Sequence, residues 1–536
     1  METEPPLMIN NTSRIPEKAI VLLVFLFGIW YFCFRILGYG LEYIPGDLGD
    51  SRFINYLLEH GYTWLSGNTD SFWTAHFMHP FQNSIALSDP MIGTQVFYAP
   101  WRAAGIGAET AYQLWWICIC TLNFWVAYWS FNKVFRNKLL AALLAWVFAF
   151  SVFNLGQLNY MQMIIRFPVA LAFYSAYRFT AQTSLKYFGI YCFAVVYQFY
   201  CVPYTGFYLL YFSLLFIVVY LFVTKAMGKT LRSYFNRQTV FKTLGIVALS
   251  AVLLAVLLVP YAAMSETVGL RLYKEVVPNV PELKSYLLVH ESSVPWRFLF
   301  NRVRTPGEAW WLYYLFPGML LLLTLVFSVF FLGYKWLKKQ EVQPLLKTGI
   351  IVSAIICLLH LRIGDNATLY ALIFKLPGIN SMRVLNRFMH VELFLLLLIF
   401  GFFVSRLNYK LLPVLFLAVV LDNSFDPAHL QRESKQALVK RKEQLISAIK
   451  KHEGYEQKML AVVDTLAPAY QTHITAMLAA QQLGMKTING YSSYCPDAFG
   501  DYFTTCSANG LNKWLHNQQL KPEEVLILKT APTNER

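Results

Sequence analysis

Apolar runs close to 20 residues long recur down this chain, and every second connection between them is strongly basic. A hydrocarbon layer takes about 20 helical residues to cross. Backbone polar groups inside it must be satisfied within the segment itself, so runs of this length are helices. Clear ones cover residues 19–37, 111–131, 244–263, 310–334 and 388–404. The stretch 187–223 is too long for one crossing and holds Pro203, so it divides into two spans. Shorter or interrupted runs are 139–155, 164–177, 348–361 and 411–421. The pattern predicts an α-helical polytopic membrane protein with about 11 transmembrane helices. Composition agrees. The 536 residues are 57% hydrophobic and 14% charged, against about 45–50% and about 25% in soluble domains.

The basic connections set the orientation. Lys133, Arg136 and Lys138 fall after one span, Lys225 to Lys242 after another, and Lys335 to Lys347 and Arg406 to Lys410 follow in the same phase. Cytoplasmic loops gather Lys and Arg, so these connections and the N-terminus are expected inside. Segment 19–37 follows Lys18 without a small-residue cleavage site and reads as a retained anchor. Three pieces are then expected outside: residues 40–105, residues 264–309 and everything after Asp422. The net charge of +15 is accounted for by topology and gives no support for nucleic-acid binding. Residues 422–536 read as a small extracytoplasmic α/β domain, with a charged helix at 432–459, strands at Met459 and Val525, and a helix from Thr472 to Leu483.

The outer segments hold the candidate chemistry. In the first, Phe53, Tyr56, Leu57, His60 and Trp64 repeat with the period of one helical face, as in an amphipathic helix lying on the membrane. Asp47 and Asp50 precede it. Asp50 is an N-cap on one reading and an interfacial carboxylate beside Arg52 on the other. His76 and His79 could ligate a divalent metal with a nearby Asp, although two loop histidines are thin support. Ser88-Asp89-Pro90 reads as a turn. The second outer loop ends in Arg297, Arg302, Arg304 and Glu308, which suit either a phosphate or interfacial anchoring. Arg383 and Arg387, four apart, are expected on one helix face. His390 and Glu392 follow inside a span, where ionisable groups are costly, and Glu392 is either functional or paired with an arginine. Six cysteines lie in spans; Cys495 and Cys506 share the outer tail and could form a disulfide or remain thiols. On these residues alone, an enzyme acting on a lipid-linked substrate and a transporter are level.

The ordered set Gly46-Asp47-Leu48-Gly49-Asp50-Ser51-Arg52-Phe53, Leu87-Ser88-Asp89-Pro90, Tyr98-Ala99-Pro100, Leu315-Phe316-Pro317-Gly318, Met382-Arg383-Val384 and Asn489-Gly490-Tyr491-Ser492 resembles bacterial GT-C-type membrane glycosyltransferases. The resemblance implies transfer of a sugar from a polyprenyl-phosphate donor to an envelope glycan or glycolipid, on the outer face of the bacterial cytoplasmic membrane. It implies an acidic residue of the first outer loop as catalytic base, here Asp47 or Asp50 with Asp47 slightly favoured, and Asp89 as a second acid. Arg52, Arg304, Glu308, Arg383 and Arg387 are the substrate-binding candidates, and no cofactor is implied. The Asp-x-Asp signature of nucleotide-sugar enzymes is absent, as a lipid donor would have it, and so is the Trp-Trp-Asp signature of oligosaccharyltransferases. A lipid-linked glycan transporter and a non-catalytic envelope assembly protein remain the alternatives.

Overall fold

Helices form over most of the sequence's apolar runs. The computed structural model describes residues 16–304, 309–364, 367–492, 494–496 and 499–529. Among these, six helices are long and apolar enough to cross a membrane: Glu17–Leu37, Ala108–Phe135, Pro203–Val223, Val240–Val268, Met319–Leu337 and Leu385–Val404. A seventh span arises if Lys138–Phe150 and Val152–Ile164, bent by 51° at Ser151, count as one. The helices Phe167–Gln182, Leu185–Cys201, Pro344–Leu359 and Leu412–Asp422 occupy the other expected segments. They have 16, 17, 16 and 11 residues, short of the about 20 that a perpendicular crossing takes. The chain is a helical polytopic protein whose apolar helices call for a bilayer.

Leu385–Val404 runs through the middle of the bundle with nearly every side chain buried. Val240–Val268 stands at the edge, turning Val252, Val256 and Val259 outward. The run 310–334 does not become one helix. Its chain makes a short turn at Trp310–Tyr313 and starts the long helix only at Met319. Asp422 explains that start. Its carboxylate accepts the amides of Met319 (2.9 Å) and Leu320 (3.1 Å) and the indole N–H of Trp296 (2.8 Å), capping a helix end that would otherwise leave donors bare. Gly318, at φ +106°, leaves room for that carboxylate; a Cβ there would lie 2.7 Å from Asp422 Oδ2.

The helix Asp50–Leu65 is not laid on a membrane surface. Arg52, Phe53, Asn55, Tyr56, Leu57 and His60 are all buried, its polar side as well as its apolar one. It is a strut between the membrane helices and the tail. The tail carries a parallel pair, Met459–Val463 with Val525–Lys529, covered by the helices Lys435–Ile449 and Ala469–Gln482. Three seams join it to the rest. Arg432–Ser434 pairs antiparallel with Tyr43–Pro45. The amide of Thr487 reaches the carbonyl of His76 (2.7 Å), and those of Met78 and His79 reach Asn489 and Thr487. Glu109 lies between Arg52 (3.2 Å) and Lys442 (3.0 Å), all three buried. Phe499 and Trp514 of the tail belong to the same buried apolar cluster as Phe53 and Phe77.

Candidate functional site

The three expected outer segments, the tail among them, meet the chain before Leu385–Val404 around one cavity of about 390 Å³, within the range of small-molecule sites. The first segment supplies Asp50 and Asp89, the loop after Val240–Val268 supplies Arg271, and the chain before Leu385–Val404 supplies Arg383 and Arg387. Tyr491 and Tyr494 come from the tail, and Phe207, Leu258 and Val268 give the cavity an apolar side among the membrane helices.

Local chain geometry aims the first carboxylate. Gly49, not Asp50, holds the N-cap position, and no side chain caps that end. Asp47 folds back to accept the Gly49 amide at 3.0 Å, so the turn is held from outside. Asp50 opens the helix with its carboxylate on the cavity wall. Tyr491 packs edge-on against Phe53, ring centroids 5.4 Å apart, and its hydroxyl favours the ionised form of that carboxylate. Asp47, the slightly favoured base from sequence, sits behind this wall and does not line it.

Both wall acids are tuned upward. Burial, helped by the charge of Asp47, pushes the Asp50 carboxyl up to about 6 against the pull of Arg387, the Tyr491 hydroxyl and Arg383. Burial pushes Asp89 up to about 6 too, opposed by Arg387 and the Gln162 amide, which donates to Asp89 Oδ2 at 3.3 Å. Desolvation of the charged form is the dominant cause in each. Asp47 is raised by burial and held back by four backbone amides.

Arg387 is the prepared cation. Its guanidinium lies between the rings of Tyr160 and Tyr204, 4.7 Å from each, an arrangement that fixes a planar cation. Its Nε is buried without a hydrogen-bond partner among the described residues. Tyr204 is itself anchored, giving its hydroxyl hydrogen to the Val384 carbonyl and accepting the Val384 amide at 2.9 Å. Arg271 lies 4.0 Å over the Tyr494 ring, and burial lowers its pKa. Arg383 and Arg387 both line the cavity but do not share a helix face: Arg387 lies in the tight turn Leu385–Phe388, and Arg383 stands between the extended residues Met382 and Val384 that precede it.

Other expected residues go elsewhere. Arg52 is 3% exposed, bonded to Glu109 and to Asn55 (3.0 Å), and lies off the cavity. Arg304 stacks on Phe300 beside a separate small hollow with Glu282 and Arg362. Glu308 lies outside the described residues. Glu392 has no arginine partner among the described residues; Arg166 meets His390 instead, Nη1 to Nδ1 at 3.3 Å. The Cys495–Cys506 disulfide is not formed: the Cys506 thiol is buried and points to the Val462 carbonyl at 3.2 Å. His76 and His79 sit in the seam with the tail, and among the described residues no three metal-ligating side chains converge.

Sequence reasoning missed Arg271, Tyr160, Tyr204, Tyr491 and Tyr494. Tyr491 and Tyr494 alone carried a signal, through the motif that runs from Asn489 to Pro496. Compared with known proteins, the chain matches no protein-family model and no curated protein. Chemically, the cavity offers carboxylates raised by burial, an arginine seated between two tyrosine rings and an apolar side among the membrane helices.

Proposed function

We propose that the protein is a membrane glycosyltransferase that moves a sugar from a polyprenyl-phosphate donor to an envelope glycan or glycolipid on the outer face of a bacterial cytoplasmic membrane. One observation carries the reading: Asp50 and Arg387 share a cavity that has one apolar side, Phe207, Leu258 and Val268, among the membrane helices. The motif resemblance to GT-C-type enzymes supports it. In the eleven-span scheme the shorter apolar helices cross as well, with the N-terminus inside and the tail outside.

The chemistry follows from the wall. Asp50 takes the proton of an acceptor hydroxyl as its oxygen bonds to the sugar anomeric carbon. The bond from that carbon to the phosphate oxygen breaks in the same displacement. Arg387, with Arg383 and Arg271 nearby, holds the polyprenyl phosphate as its charge grows. The apolar wall takes the first units of the lipid chain. A pKa of about 6 leaves Asp50 ionised yet basic at neutral pH, near the optimum for a general base. Transfer of label from a radiolabelled polyprenyl-phosphate sugar to acceptor, in proteoliposomes, tests the reading.

A transporter is the second reading, favoured by Arg166, His390 and Glu392 enclosed among the membrane helices. Ionisable groups at that depth mark transport pathways in many membrane proteins. Movement of labelled donor across the same vesicles without chemical change would select it.

A further inference from the structure

Behind the helix Asp50–Leu65 lies a second, larger hollow of about 1290 Å³, walled on its far side by the tail helices Lys435–Ile449 and Ala469–Gln482. The two hollows share that helix as a partition. Asp50, Phe53 and Ile54 face the reaction cavity, while Asn55, Glu59, Tyr62 and Thr63 face the groove. Its size exceeds the about 300–1,000 Å³ of ordinary small-molecule sites, so it suits an extended ligand.

Its charge defines the ligand further. Four acidic and four basic side chains line it, so its charge balances, and two ion pairs, Glu59 with Arg102 and Glu109 with Lys442, lie within it. Glu59 takes Arg102 at both oxygens (2.8 and 2.9 Å). Glu109 takes Lys442, Lys435 donates to Thr110 and Gln113, and Glu443 accepts from Gln482. Burial lowers the pKa of His60, to about 4, and of His76, so neither adds charge at neutral pH. Of the uncharged lining groups, the Gln481 amide donates to the Tyr56 carbonyl and Asn68 to Ser66, while Gln436, Thr69 and the Tyr62 ring, approached by Arg102 at 5.4 Å, line the open space. Uncharged planar donors and acceptors beside an aromatic ring match the hydroxyls and C–H faces of sugars. A peptide would instead ask for apolar pockets or a free strand edge.

We infer that this groove binds a neutral glycan chain, held between the helix Asp50–Leu65 and the tail. As a resting place for the acceptor it rests on the transferase reading; as a glycan site it stands without it.

The test uses the full chain in lipid nanodiscs with no donor present, so that a failed transfer assay and a failed binding assay are separate results. The probes are cellohexaose, maltohexaose and chitohexaose, with hexagalacturonate as the anionic comparison and a neutral hexapeptide as the other class. At least one neutral hexasaccharide binds, and the anionic and peptide probes bind more weakly. Tyr62→Ala weakens that binding about fivefold or more. So does Gln436→Ala, on an exposed helix position where folding is not at stake. Failure of all three neutral hexasaccharides to bind, preference for the anionic or peptide probe, or full affinity in both variants overturns the inference.

Discussion

The Tyr491 hydroxyl of the tail acts on the Asp50 carboxylate and favours its charged form, linking the tail to the first residue of the helix that partitions the two hollows. Burial, then the charges of Asp50 and Asp47, raise the tyrosine's own pKa, so the hydroxyl keeps its proton across the working pH range. A proton donor on that side stabilises the ionised form of Asp50. The tail is therefore part of the electrostatics of the cavity.

Replacing Tyr491 by Phe removes that donor and leaves the ring. The ionised form of Asp50 loses support, and its pKa rises above about 6. A base acts when deprotonated, so the rising limb of the transfer rate against pH moves to higher pH. The rate falls severalfold near pH 6 and recovers by about pH 8. A merely structural role would lower the rate at all pH values and leave the midpoint in place.

Asp47→Asn moves the midpoint the other way. The Asp47 charge is the second cause, after burial, of the raised Asp50 pKa, so neutralising it lowers the midpoint. The Asn carbonyl can still accept the Gly49 amide, and the maximal rate changes by less than about tenfold. A loss as large as that of a catalytic base would return the role to Asp47.

Arg387→Ala and Arg387→Lys separate shape from charge. The guanidinium is fixed between two tyrosine rings, a planar slot that a lysine ammonium does not fill. Both variants raise the donor KM roughly 10- to 100-fold, with Lys rescuing little. Steady-state kinetics over donor concentration checks this.

Glu109 bears on stability. Glu109→Gln leaves Arg52 and Lys442 buried beside an uncharged partner, and loss of one member of such a buried pair costs about 3–5 kcal/mol. A lower unfolding midpoint, with earlier protease cleavage between the membrane helices and the tail, is the expected outcome.

Much of this was legible from local pattern. The apolar runs mark every long helix, because hydropathy over 20 residues is a property of the segment alone. Asp50 and Asp89 were readable as charges in the first expected outer segment and Arg383 and Arg387 as a basic pair at the start of a span, and the cavity gathers all four. Tyr491, Tyr494 and Arg271 reach the cavity through long-range packing that no local period encodes. The periodicity of Phe53, Tyr56, Leu57 and His60 gave the helix but not its neighbour, since an apolar stripe fits a protein core as well as a membrane. Arg52 was misplaced for a similar reason: its partner Glu109 lies in a later helix. Asp50 looked like a cap because Asp commonly is one; here Asp47 holds the preceding turn.

The most direct measurement is sugar transfer by Asp50→Asn in proteoliposomes, read beside donor movement across the same vesicles. Asparagine keeps the shape and cannot take the proton. Transfer falls about 10²–10⁴-fold while donor binding remains. Full transfer by the variant would contradict the assignment of Asp50 as base, and donor translocation with no transfer by the unaltered protein would contradict the enzyme reading altogether.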